Sequence, residues 1–126
     1  MRIEHRDGLL FASLILFHGG HRIQVPNTVI DTGATQSLIS VDTVDTLFQR
    51  YEPDDRLIFM SGIGGSEASV RRRIDRIQFD SFSADNFRLD FGSLQEHPGI
   101  NGLVGLDILI PGRFLIDLER LEIQIR

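Results

Sequence analysis

The run Val29-Ile30-Asp31-Thr32-Gly33-Ala34-Thr35 passes from a β-prone apolar pair directly to an acid, a hydroxyl and a glycine. Apolar, β-branched residues favour a buried strand, and the acid-glycine pair that follows favours a tight loop. The expected local structure is therefore a short strand that ends by presenting the Asp31 carboxylate. Gly33, without a Cβ, allows the backbone to approach that carboxylate closely.

Working outward, the texture on both sides is β. Asp7-Gly8 is a hairpin turn between Arg2–Arg6 and Leu9–Phe17, and Gly19-Gly20 is a second one leading into Arg22–Val25. Pro26-Asn27 is expected to break that strand before Thr28-Val29-Ile30. Beyond the loop, Ser40 is a candidate cap for a short helix over Val41–Phe48. Leu57–Met60 and Glu67–Val70 flank a glycine-rich centre, Gly62-Ile63-Gly64-Gly65, and read as a hairpin. Arg73–Phe79 and Phe87-Arg88-Leu89-Asp90-Phe91 alternate as strands. Asp107 is expected to cap one helical turn, Ile108–Ile110, which Pro111-Gly112 ends. Phe114–Asp117 and Leu121–Ile125 form a last hairpin, with Leu121, Ile123 and Ile125 on one face.

Composition narrows the chemistry. The chain has 126 residues, 41% hydrophobic and 25% charged, which fits one folded domain over 1–126 with a real core. Cysteine is absent, so disulfides, thiolate metal sites and cysteine nucleophiles are excluded. Lysine is absent too, which removes Schiff-base and lysine-base mechanisms. A net charge of -5 argues against a nucleic-acid partner. The apolar run Leu9–Phe17 is too short to span a bilayer as a helix. It is also a poor signal peptide, because Glu4 and Asp7 lie where basic residues belong and no small-residue cleavage site follows. A cytoplasmic protein without a membrane partner is the expectation.

Three features in order carry a family resemblance: Asp31-Thr32-Gly33-Ala34, the glycine-rich hairpin at Gly62 to Gly65, and Gly102-Leu103-Val104-Gly105-Leu106-Asp107-Ile108-Leu109. Together they resemble the retropepsin-like aspartic proteases, nearest the bacterial and DNA-damage-inducible shuttle protein branch. That resemblance implies a mainly β fold, a closed acid-protease barrel with one or two short helices. It also implies half of a homodimeric active site. Aspartyl chemistry needs two carboxylates and the chain offers one such triplet. The implied catalyst is Asp31 paired with Asp31 of a second copy, the two sharing a proton and holding the attacking water. No cofactor or metal is implied, and the substrate class is a peptide or unfolded protein.

The resemblance also assigns roles around the carboxylate. Thr32, Gly33 and Ala34 complete the active-site loop, and the Thr32 hydroxyl cross-links the two loops of the dimer. Gly62, Ile63, Gly64 and Gly65 form a flap over the substrate. Leu103, Val104 and Gly105 support the catalytic loop from beneath. Ala34 stands where pepsin-like enzymes usually carry Ser or Thr. It cannot donate a hydrogen bond to the carboxylate, so the working pH is expected nearer neutral. Ile63 and Ala34 point to hydrophobic residues around the cleaved bond.

Other features have simpler explanations. Arg71-Arg72-Arg73 with Arg76 reads as a solvated strand face, and His18 and His21 as solvated turn histidines rather than a metal pair. Two rivals stand beside the protease. One is a non-catalytic dimeric peptide-binding module of the same fold. The other is a phosphate loop, since Asp31 to Thr35 also fits the D-x-G-x-T pattern of actin-like and sugar-kinase-like ATPases. Those need two domains and a second phosphate signature, which this length and sequence do not supply.

Overall fold

The computed structural model describes the backbone of residues 1–62 and 65–126, and the side chains of 1–59 and 68–126. Ten strands carry the fold: β1 Glu4–Arg6, β2 Leu9–His18, β3 His21–Ile30, β4 Leu38–Ser40, β5 Arg56–Gly62, β6 Gly65–Phe79, β7 Phe82–Gly92, β8 Gly102–Val104, β9 Phe114–Asp117 and β10 Glu122–Ile125. One helical turn, α1, spans Leu106–Leu109. Eight strands form one sheet in the order β1-β2-β3-β8-β4-β7-β6-β5, and β9 and β10 pair separately. The sheet curls far enough for Ile15–Phe17 of β2 to pair with Arg76–Gln78 of β6.

Turn chemistry sets the register. Asp7-Gly8 and Gly19-Gly20 all have positive φ, the backbone demanded by two-residue hairpins. Pro26-Asn27 does not break the strand, contrary to the sequence expectation. β3 runs through it, and the pairing with β2 shifts register between Ala12 and Leu14. A bulge is one of the few places in a sheet that tolerates a proline's missing N–H, and Asn27 takes a φ of 54° to make it. The Thr28 hydroxyl then bonds the Val25 carbonyl across the bulge at 3.1 Å. The bulge leaves Val29 and Ile30 buried just before Asp31.

The Val41–Phe48 helix is instead two 3₁₀ turns, Val41–Thr43 and Asp45–Phe48. Val41, Thr43, Val44 and Thr46 are all β-branched, which disfavours a continuous α-helix. The Ser40 hydroxyl accepts the Asp42 N–H at 3.3 Å, as a cap should. β6 is one 15-residue strand rather than two short ones. It pairs with β5 through the glycine-rich hairpin and with β7 from Val70 to Phe79.

The core is aliphatic and aromatic: Leu14, Leu16, Ile39, Ile74, Ile77, Phe79, Leu89, Phe91, Ile108 and Ile123 are essentially inaccessible. Each contributes on the order of 1.5–3 kcal/mol by burial. Ile123 lies in this core, whereas Ile125 is 39% exposed, so the last hairpin buries less than its alternation suggests.

Two further sequence expectations change. Arg72 is buried, not solvated. Its guanidinium bonds both Asp55 oxygens at 2.8 and 2.6 Å, and the carbonyls of Leu47 and Arg50. It also stacks on Phe48. Arg71 bonds the buried Asp90 at 2.6 and 3.1 Å. These pairs hold Asp55 below its ordinary value and raise both arginines. His18 is buried as well: its Nδ1 accepts the Asp75 N–H at 3.1 Å, which leaves the ring proton on Nε2, facing Glu52 at 2.8 Å. Among the described residues no cluster of three or more His, Asp or Glu could hold a metal, and no helix is long and apolar enough to cross a membrane.

Candidate active site

Asp31 lies one residue beyond the end of β3, where the strand has passed out of the core. Its backbone N–H bonds the Val104 carbonyl at 2.9 Å, extending the parallel pairing in which Ile30 opposes Val104. Its carboxylate Oδ1 accepts the Gly33 N–H at 2.9 Å. A Cβ on Gly33 would lie 3.3 Å from that same oxygen, so the glycine gives the carboxylate room. The Ala34 N–H returns to the Asp31 carbonyl at 3.2 Å and closes the turn. Asp31 is half-buried, while Thr32 and Gly33 are exposed. Thr32 and Gly33 thus form the exposed part of the loop, beside the half-buried Asp31.

Leu103, Val104 and Gly105 run beside this loop, in β8 and just after it. β8 is flanked by β3 on one side and β4 on the other. At its end the Leu106 N–H bonds the Ala34 carbonyl at 2.8 Å. Gly105 packs so closely that a Cβ there would lie 2.6 Å from the Ala34 oxygen and 3.1 Å from the Gln36 oxygen.

The sequence reading did not anticipate that two residues, Ser37 and Asp107, join in this support. Ser37 donates its hydroxyl to Asp107 Oδ1 at 2.6 Å and its backbone N–H to Oδ2 at 3.0 Å. The same hydroxyl accepts the Gly105 N–H at 2.9 Å. Asp107 is therefore not the cap of α1; Gly105 occupies the cap position, and the carboxylate is turned toward Ser37. A serine four residues past the Asp-Thr-Gly and an acid two residues past Leu-Val-Gly were the available signals. Their pairing across the fold is not visible along the chain.

Asp31 opens onto a cavity of about 660 Å³. Val29, Leu38 and Leu103 line it from below, and Leu94 and Ile100 from the segment after β7. Ala68 and Ser69 of β6 and Gly92 of β7 close one side, while Glu96 and His97 are its charged and titratable neighbours. Of the expected flap, Gly62 and Gly65 pair directly across β5 and β6, and Ile63 and Gly64 lie outside the described residues. The hairpin they belong to is continuous with the β6 residues that line the cavity.

The aspartyl protease family model matches residues 17–108, and the chain belongs to that family. No curated protein gives a significant match. Among solved structures, the chain is similar to a retropepsin-like aspartic protease from Rickettsia conorii. The identity is 17% and the TM-score 0.59, over 92% of this chain and 82% of that one. The fold is thus mainly β and retropepsin-like.

Proposed function

We propose that the protein is an aspartic endopeptidase whose catalytic dyad is Asp31 of one protomer and Asp31 of a second, on the two-fold axis of a homodimer. The observation that carries this reading is the seating of Asp31. One carboxylate is held by the Gly33 N–H at the mouth of an apolar cavity, in a chain of the aspartyl protease family. Aspartyl hydrolysis requires two such groups, one to take a proton from water and one to hydrogen-bond the scissile carbonyl. The chain carries only one Asp-Thr-Gly.

The rest of the site suits the same reaction. The exposed Thr32 is free of the core and available to bridge the two loops. The β5–β6 hairpin serves as the flap: Gly62 and Gly65 pair across it, and β6 continues into Ala68 and Ser69 of the cavity lining. Pairing of β2 with β6 supports reading the curled sheet as a closed barrel. The apolar lining favours hydrophobic side chains in an extended peptide or an unfolded chain. Neither metal nor cofactor is required.

The test is hydrolysis of a peptide library and of an unfolded protein by wild type and by Asp31→Asn. Wild type should cleave, and the variant should lose several orders of magnitude while keeping its fold. Binding without cleavage by wild type would favour the non-catalytic peptide-binding module instead.

A further inference from the structure

Ser69 is the one buried side-chain polar group among the described residues whose oxygen has no hydrogen-bond partner. It is 6% exposed and lines the cavity beside Asp31. Leaving a buried hydroxyl unpaired is costly, and such groups are rare in folded proteins. Val29, Leu38, Leu94, Ile100 and Leu103 give the same cavity a set of aliphatic walls. Ser69 is thus an unpaired hydroxyl on a largely aliphatic cavity wall, in a cavity that also holds Asp31, Ser93, Glu96 and His97.

The recess is built to stay open at this point. Val70 pairs with Phe91, so the next residues along the two strands, Ser69 and Gly92, are neighbours. A Cβ on Gly92 would lie 3.5 Å from Ser69 Cβ and 3.3 Å from Leu38 Cδ1. Any larger residue at position 92 would fill the space over the serine.

We propose that Ser69 determines specificity. Its hydroxyl recognises the polar tip of an otherwise apolar substrate side chain beside the scissile bond, and tyrosine matches both demands. The aliphatic walls take the ring, and the phenol and the serine hydroxyl satisfy each other. Ser69 Oγ is covered in the structure, so the proposal requires the hydroxyl to rotate about χ1 toward the cavity when substrate binds. A site that pairs with a hydroxyl discriminates against the analogue lacking it, because its own polar group is otherwise left unpaired. The inference rests on the protease reading for its substrate class.

The experiment compares matched peptides differing only in Tyr or Phe at the residue flanking the cleaved bond, with wild type and Ser69→Ala. Wild type should prefer Tyr in kcat/KM, and Ser69→Ala should lower the Tyr-to-Phe ratio about five- to tenfold. The variant should melt no lower than wild type, because the deleted hydroxyl had no partner. The same peptides are also titrated onto Asp31→Asn and onto Asp31→Asn with Ser69→Ala, which reads recognition without turnover. A Ser69-dependent binding ratio with no cleavage by wild type would sustain the inference and refute the protease reading. An unchanged ratio in both assays, no binding of either peptide, or a lowered melting temperature for Ser69→Ala would overturn the inference.

Discussion

Ser37 and Asp107, separated by 70 residues in the chain, are joined by two hydrogen bonds at 2.6 and 3.0 Å. Through the Ser37 hydroxyl the Gly105 N–H joins the same node. The exit of the Asp31 loop is thereby tied to the first turn of α1, and the loop is held from both its ends.

That tie predicts non-additive losses. Ser37→Ala leaves the buried Gly105 N–H and one carboxylate oxygen without their partner. Asp107→Asn removes the charge from both bonds. Each should destabilise by about 1–3 kcal/mol. The double variant should lose clearly less than the sum, with a coupling of about 1–2 kcal/mol in a denaturant cycle. Additive losses would show that the two residues act independently.

Gly105→Ala should be more damaging than its position in a short connection suggests. The new methyl would meet the Ala34 oxygen at 2.6 Å, a contact that requires backbone to move. The segment that moves carries Asp31. About 1–3 kcal/mol of stability should be lost, and kcat should fall by a larger factor than stability accounts for. Steady-state kinetics on protein shown to be folded by circular dichroism decides this. Wild-type kcat would show that the loop adapts without displacing the carboxylate.

Mixed dimers provide a separate check on the proposed dyad. Wild type refolded with a ninefold excess of Asp31→Asn would place most wild-type chains opposite an inactive partner. Activity per wild-type chain should then drop roughly tenfold. Specific activity of wild type alone should fall on dilution as protomers separate. Activity per chain that is constant in both experiments, with a monomer in sedimentation, would exclude a dyad across two chains.

The Arg72 guanidinium holds the Asp55 carboxyl below its ordinary 3.8, chiefly through their hydrogen bonds. A depressed folded-state value means that the unfolded chain binds the proton first as pH falls. The stabilisation is therefore complete at neutral pH, begins to fade near about pH 5, and is lost as pH drops through the folded value. Asp55→Asn should be less stable than wild type at pH 7 and should flatten the acid side of the stability curve. Replacing Arg72 with Met leaves a buried carboxylate unpaired and should cost about 3–5 kcal/mol. Parallel acid slopes for wild type and Asp55→Asn would show that the pair adds nothing.

Much of this architecture is legible in the sequence because it is local. Asp7-Gly8, Gly19-Gly20 and the apolar lead into Asp31 each specify their backbone within a few residues. Non-local polar pairing is not legible in this way. Arg72 looks like any charge in an arginine run until Asp55 and the carbonyls of Leu47 and Arg50 surround it. His18 looks solvated until the Asp75 N–H reaches it from β6. Pro26-Asn27 misleads for another reason: a proline's meaning in a strand depends on whether the neighbouring strand can absorb a bulge. Ser69 has no sequence signal, since its significance is the absence of a partner.

The unequal edges of β6 have a consequence for hydrogen exchange. Residues 76–78 have strands on both sides, β2 and β7, whereas residues 65–69 pair with β5 alone, and the β7 pairing begins at Val70. One continuous strand should therefore show steeply graded amide protection, slowest near Ile77 and fastest toward Ala68. The gradient's step falls at Val70 opposite Phe91, where the β7 pairing begins. A bound peptide should slow exchange on the hairpin side of that step and leave the far side unchanged.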